Sequence, residues 1–469
     1  MKLKRDLSFF DVTNIVVGSI IGADIYIASA VTAGLVGPLA IFAWVIAGAF
    51  AIVLALVFAY CSYYVPKVGG PFAFVTRAFD SFYGFLTGWS LWIAELIALP
   101  IFAIAFTQYL GYFLNLEPWQ DILIKGVFIF GITTINIVGV RAAGKLNDVL
   151  TLLKLSPLVM FILAGFYFVI TKPQGIIDNY TPLAPMGVDN FGAALVLIFW
   201  AYVGFEIGTL PASEVKEPKR TIPKAITTGI MIVLVFYLLT NFVLFGITNW
   251  TELAETKVPL VYTGTAMLGT AGAIIIGIGA LISVSGSNES GTLGTSRLSY
   301  AMAINGLLPR FFSKTHRKFK TPYVALMIQG SIAFILCNVA GLTSLISFSV
   351  FNLAFAFFFV CLALLMLKKK SEHSLRGQTV LPLVGMAICA YLFYSTSTTD
   401  KIIGSIVILA GIPIYAFFSP KADIHHLKDL FLAEEEIFAR RLERKEKLLA
   451  HFVIMCHRLY SRMRKKESL

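Results

Sequence analysis

The chain has 469 residues, of which 58% are hydrophobic and 14% charged, and its mean hydropathy is +0.81. A soluble globular protein carries about 25% charged residues, so a water-soluble core is excluded and a polytopic membrane protein is indicated. The net charge of +12 would suit a nucleic-acid partner, but the positions of the cations speak against one.

Met1 to Asp11 is short and basic. The apolar run that follows is too long for the core of a cleavable signal, so none is expected. Runs long enough to cross a bilayer, about 20 apolar residues each, fall near 10–35, 40–64, 82–110, 122–140, 149–170, 191–212, 225–247, 270–303, 323–340, 345–367, 379–396 and 402–418. The expectation is an all-α integral membrane protein with twelve spans, the eighth long enough to tilt or to project.

Lysines and arginines sort the loops between these spans into two sets. One set, from Lys2, Lys4 and Arg5 through Lys216–Lys224 and Arg310–Lys320 to Lys368–Arg376, holds 20 cations; the other holds Lys125, Lys172, Lys257 and Lys401. Cytoplasmic loops carry the excess, which puts the first set and both termini in the cytoplasm. The basic charge thus records topology, and no nucleic-acid partner is expected. Residues 421–469 change character, with 12 Lys/Arg against 8 Asp/Glu. Apolar residues recur there at near-helical spacing (Leu427, Phe431, Phe438, Leu442, Leu449). An amphipathic cytoplasmic tail is expected to lie on the anionic leaflet, to pack under the membrane body, or to pair with a second copy in a homo-oligomer.

The first span contains "VGSIIGADIY", with Gly18, Gly22 and the acid Asp24. Glycines alone are common in membrane helices, where they permit close packing. An intramembrane carboxylate is another matter, since it costs about 2.5–3.5 kcal/mol and marks a functional site by default. The sixth span repeats the pattern: Gly204-Phe205-Glu206 echoes Gly22-Ala23-Asp24, 182 residues and five spans later. An odd number of spans inverts chain direction, so the echo fits a five-plus-five inverted repeat whose first and sixth helices unwind near the midplane.

Other polar groups within the spans are Glu95, Lys154, and a run on the eighth span of Ser285, Asn288, Glu289, Thr292 and Ser296. Helical spacing gives that run one broad face. The five cysteines, Cys61, Cys337, Cys361, Cys389 and Cys456, lack paired metal-ligand spacing. No metal, cofactor or enzyme site is expected, and the glycine pair does not follow a β-strand as a dinucleotide fingerprint requires.

Several stretches carry a family likeness. "GSIIGADIY", "PKVGGPFAFV" (66–75), "FWAYVGFE" (199–206) followed by "SEVKEPKRTIPKAI" (213–226), and "SRLSYAMAINGLLPRFFSK" (296–314) followed by "TPYVALM" (321–327) together resemble the amino acid–polyamine–organocation (APC) family of secondary transporters. The resemblance implies a LeuT-like fold with discontinuous helices 1 and 6. Its inverted repeats would span about 8–171 and 191–370, helices 11 and 12 about 379–419, and the whole transporter domain 1–420. It implies alternating access to a central site for an amino acid, an amine or a polyamine, as a permease or exchanger.

In that picture the main chain around Ser19, Ile20, Gly22 and Ala23 holds a substrate carboxylate at a helix N-terminus. Freed carbonyls of Phe199, Ala201 and Tyr202 meet the amino group. Trp200 is a lid, and Tyr202 is either a cation contact or a packing residue. Asn288 contributes from the eighth helix. Glu214, Lys219 and Arg220 belong to an inner gate.

The family has glycine or another small residue where this chain has Asp24, and Asp where it has Asn305. Asp24 would repel a substrate carboxylate unless it pairs with a cation, holds a proton, or receives a substrate without a carboxylate. Lys154 is the candidate cation. It either snorkels to the inner headgroups or takes the place of the ion in sodium-coupled relatives and carries a proton, with Asp24 and Glu206 as further coupling residues. A nutrient sensor on the same fold, signalling through the tail, is the alternative from a different class.

Overall fold

The computed structural model describes residues 7–67, 69–138, 143–209, 212, 215–369 and 377–419, and of residues 143–152 and 369 only the backbone. The expected tail and Glu214 lie outside the described residues. Among the described residues the architecture is all-helical, with one isolated parallel bridge, Leu7 to Val215.

The first expected span is two helices, α1 (Phe9–Ile20) and α2 (Asp24–Val36), separated by Ile21–Ala23. Ser8 and Asp11 form a reciprocal capping box at the start of α1, which satisfies orphan N–H groups where the chain enters the bundle. A 3₁₀ turn at Gly37–Leu39 leads into α3 (Ala40–Tyr64), then the short α4 (Gly70–Ala78) and α5 (Ser81–Phe113). Asp80 caps α5 by accepting the N–H groups of Phe82 and Tyr83. There follow α6 (Pro118–Val138), α7 (Ala143–Thr171), α8 (Pro173–Asn179) and α9 (Phe191–Ala201). After α9 the chain turns through Tyr202–Gly204 into a 3₁₀ segment, Phe205–Thr209. The remaining elements are α10 (Pro218–Ile247), α11 (Trp250–Glu255), α12 (Pro259–Ile304), α13 (Tyr323–Val339), α14 (Leu342–Lys369), α15 (Val380–Ser395) and α16 (Thr398–Phe418).

Every segment expected to cross the bilayer falls on these helices. Among the described residues nine stretches have the length and hydropathy of a crossing, and α13 and α15 are shorter apolar helices. Within α12 the backbone leaves helical geometry at Gly269 (φ 61°), so a first helix from Pro259 is followed by a second that begins where the eighth span was expected. The sixth segment is α-helical for only eleven residues before it breaks.

The two interrupted segments lie inside the bundle. α1 packs against α7, α10, α12 and the 3₁₀ segment, while α9 packs against α2, α3 and α14. Small residues allow the closest approaches. A methyl group on Gly279 would lie 2.3 Å from the Pro157 ring, and one on Gly286 would lie 2.6 Å from Lys154 Cε. Small residues at helix interfaces are how membrane helices gain van der Waals contact. Here they seat α7 on α12 so that Lys154 reaches the end of α1.

Candidate functional site

At Ile21–Ala23 the helix ladder of the first span is interrupted, and carbonyls near the end of α1 need new partners. Four side chains from other helices supply them. Lys154 Nζ of α7 donates to the Gly18 carbonyl at 3.0 Å. The Tyr237 hydroxyl of α10 donates to the Ile20 carbonyl at 3.1 Å. Ser287 of α12 donates to the Ile21 carbonyl at 3.2 Å, with Ser283 at 3.4 Å from the same oxygen. Ser287 Oγ in turn accepts from Lys154 Nζ at 3.2 Å.

Lys154 is 2% exposed, which removes the snorkelling alternative. Its ammonium is bound to the break in helix 1. Among the described residues Lys154 and Asp24 form no direct ion pair.

Asp24 is 5% exposed and opens α2. Its Oδ2 is 3.2 Å from where a methyl group on Gly22 would stand. The chain's own carboxylate therefore takes up part of the helix N-terminus expected to receive one from the substrate. Gly22 has a packing reason too, because a methyl group there would meet Ser287 Oγ at 2.7 Å.

The second break touches the first. Gly204 has φ +122°, a conformation that side-chain-bearing residues avoid. A methyl group there would stand 3.0–3.1 Å from the backbone of Ser19 and Ile20. The Ser19 hydroxyl lies 3.0 Å from the Gly204 carbonyl and 2.6 Å from that of Ile15, and its single proton can serve one of them at a time. Glu206 turns back and accepts the Gly204 N–H through Oε2 at 3.1 Å, as a brace for the turn.

The expected freedom of the Phe199 carbonyl is corrected. It accepts the Tyr202 N–H at 3.0 Å, as Trp200's accepts that of Val203 at 3.1 Å, because the last turn of α9 tightens before it ends. Tyr202 is likewise a packing residue. Its hydroxyl donates to the Trp44 carbonyl, and its ring contacts Trp44 and Tyr237. Asn288 is turned to α5, where it donates to the Leu99 carbonyl and accepts from Thr292.

Between the breaks lies a cavity of about 40 Å³. Ser19, Asp24, Glu95, Phe102, Trp200, Val203, Gly204, Ser287 and Ser349 are among its walls. Of the expected binding residues Ser19, Asp24 and Trp200 face it, whereas Ile20, Gly22, Ala23, Phe199, Ala201, Tyr202 and Asn288 are buried behind or beside it. Trp200 packs on Phe102 with ring centroids 6.0 Å apart. The lining contains two acids and no lysine or arginine. A water's share of liquid volume is ~30 Å³, so this conformation has room for water and must widen to admit a larger solute. A wider hollow of about 680 Å³ between α3, α9 and α15 is lined by Leu39, Phe42, Tyr391 and Tyr394, away from both breaks. Size alone does not make it the better site, because it includes none of the residues at either break.

Sequence reasoning overlooked Ser283, Ser287 and Tyr237. The two serines stand four residues apart in "ALISVSGSNES", a small-polar i, i+4 pair that marks one helix face. Nothing in the sequence around Tyr237 distinguishes it from a packing aromatic.

An internal cavity with carboxyl and serine groups in a largely apolar wall, between two interrupted helices of a multi-pass bundle, defines the class, a helical membrane protein with the architecture of a small-solute transporter. A family model described as "Amino acid permease" matches residues 7–431. The chain belongs to this family of amino acid permeases, within the APC transporters. It is 27% identical over 431 residues to the serine/threonine exchanger SteT of Bacillus subtilis (strain 168), covering 88% of this chain and 96% of that one. It is 26% identical over 447 residues to the branched-chain amino acid permease BcaP of the same organism, covering 89% and 94%. To the arginine/ornithine antiporter of Latilactobacillus sakei it is 29% identical over 331 residues, covering 68% and 69%.

Proposed function

We propose that the chain is a secondary carrier of amino acids that works by alternating access in the cytoplasmic membrane, coupled to protons as a symporter or exchanger. The reading has twelve crossings, inverted repeats over about 8–171 and 191–370, two further helices to 419, and a cytoplasmic tail from 421. The distribution of loop cations supports cytoplasmic termini. The observation that carries the reading is the meeting of the two breaks, Ile21–Ala23 and Tyr202–Gly204, at a small cavity that two carboxyl groups line. Interrupted helices of this kind bind solutes through main-chain dipoles at the bilayer midplane. The names of the relatives support amino acids as the solute class.

In this reading Ser19, Gly22, Ala23 and Trp200 attend the substrate, and Lys154 is the proton carrier, holding by its ammonium a position suited to a cation. Asp24 favours a second reading, an amine or polyamine without a carboxylate. Its carboxylate stands beside Gly22 at the start of α2, where a substrate carboxylate would lie, and it faces a cavity with no basic side chain.

Radiolabelled uptake into proteoliposomes, with amino acids and putrescine as competitors across a pH range, tests both readings. Competition by neutral amino acids supports the first. Competition by putrescine alone replaces it with the second.

A further inference from the structure

One buried carboxyl oxygen is not accounted for by the mechanism above. Glu206 uses Oε2 to accept the Gly204 N–H, but its Oε1 is buried with no N–H or hydroxyl donor within reach. Leaving a charged acceptor buried and unpaired is costly. The group placed to meet it is another acid, the Glu95 side chain of α5, which lines the small cavity together with Gly204, the residue whose N–H Glu206 accepts. Two carboxyl groups can hydrogen-bond only if a proton lies between them.

We propose that Glu95 and Glu206 hold one proton between them, as a coupling site separate from Lys154, and that this proton exchanges for the ammonium group of the substrate. Glu95 donates its carboxyl proton to Glu206 Oε1. When the cavity opens, the proton passes to water and leaves two adjacent carboxylates, whose repulsion is relieved by a cation. A substrate ammonium in the cavity beside Glu95 is that cation. Return of a proton to the pair expels it.

The charged groups around the pair are Asp24 of α2, which lines the same cavity as Glu95, and beyond it Lys154 of α7, which reaches Ser287 of that cavity's wall, with Glu289 and Arg297 further along α12. Occupancy of the pair reaches both breaks through a short chain of contacts, from Glu206 to the Gly204 N–H and from the Gly204 carbonyl to the Ser19 hydroxyl.

The inference rests on the carrier reading, and its test separates the two. Infrared spectra of the purified full-length protein across a pH series should show a protonated-carboxyl band that Glu95→Gln removes. Glu95→Gln still offers an N–H to Glu206 Oε1. Glu206→Gln, whose amide oxygen can still accept the Gly204 N–H, should remove the same band. In proteoliposomes, the apparent affinity for a labelled mixture of amino acids and putrescine should rise with pH by up to about tenfold per unit, the limit for one linked proton. The rise should fall in the window where the band disappears, and Glu95→Gln should flatten it to less than about twofold. A band that survives both substitutions, or a pH profile unchanged by Glu95→Gln, overturns the proposal. Wild-type vesicles that accumulate no labelled solute overturn the carrier reading instead, while the spectra still decide whether the pair holds its proton.

Discussion

Gly204→Ala places one methyl group where the two interrupted helices touch. The residue has φ +122°, and the added carbon would meet Ser19 C at 3.0 Å, Ile20 N at 3.1 Å and Ser19 O at 3.1 Å. All three are backbone atoms, so no side chain can rotate away. Strain in a sparsely populated backbone region costs about 1–3 kcal/mol, and overpacking a close-packed site costs about 1–3 kcal/mol more. The closed arrangement of the breaks should therefore lose about 2–6 kcal/mol, and at ~1.4 kcal/mol per tenfold its population should fall by at least ~25-fold relative to separated breaks. Transport that must pass through this arrangement should slow by more than about tenfold, with the protein still folded by size-exclusion chromatography. Gly294→Ala in α12 is the control, because a methyl group there meets nothing within 4 Å. Uptake by Gly204→Ala at the wild-type rate would refute the contact between the breaks as a feature of the working cycle.

Lys154→Ala leaves the Gly18 carbonyl without its donor, so uptake should fall by about fivefold or more, from a loss of ~1–3 kcal/mol. Uptake that still responds fully to an imposed proton gradient would rule out Lys154 as the carrier. Asp24→Gly restores the small residue usual in the family and clears the carboxylate from the N-terminus of α2. It should improve competition by amino acids relative to putrescine and change the pH dependence of uptake, whereas an unchanged profile would reduce Asp24 to packing. Tyr237→Phe removes one hydrogen bond to the Ile20 carbonyl and should lower thermal stability by about 1 kcal/mol, read as a modest fall in the unfolding midpoint; no change would mean that water or a neighbour already satisfies that carbonyl.

Much of this architecture is written in local composition. Apolar runs located every helix of crossing length, and the glycine-acid pairs at 22–24 and 204–206 marked both interruptions. Local sequence could not say which groups turn inward once the helices pack. Phe199 is indistinguishable in sequence from a residue with a free carbonyl, yet the tightened end of α9 supplies its partner. Asn288 sits on the expected polar face of α12, but the neighbouring turn of α5 offers a carbonyl, and the side chain bonds to it. The start of the eighth span was legible, because the non-helical backbone at Gly269 separates it from the helix that precedes it. The pairing of Glu95 with Glu206 joins residues 111 positions apart, and only the packing of α5 against the second break reveals it.

Access to the cavity at the second break is the most direct measure of the central claim. Val203 lines that cavity, and the four described cysteines are buried. A Val203→Cys variant that also carries Cys456→Ser can be exposed to a membrane-impermeant thiol reagent during turnover. The account predicts that the new thiol is labelled from water, and that labelling slows in the presence of whichever solute competes best for uptake. A thiol inert from both sides of the membrane, with or without solute, would mean that no water-filled path reaches the meeting point of the two broken helices.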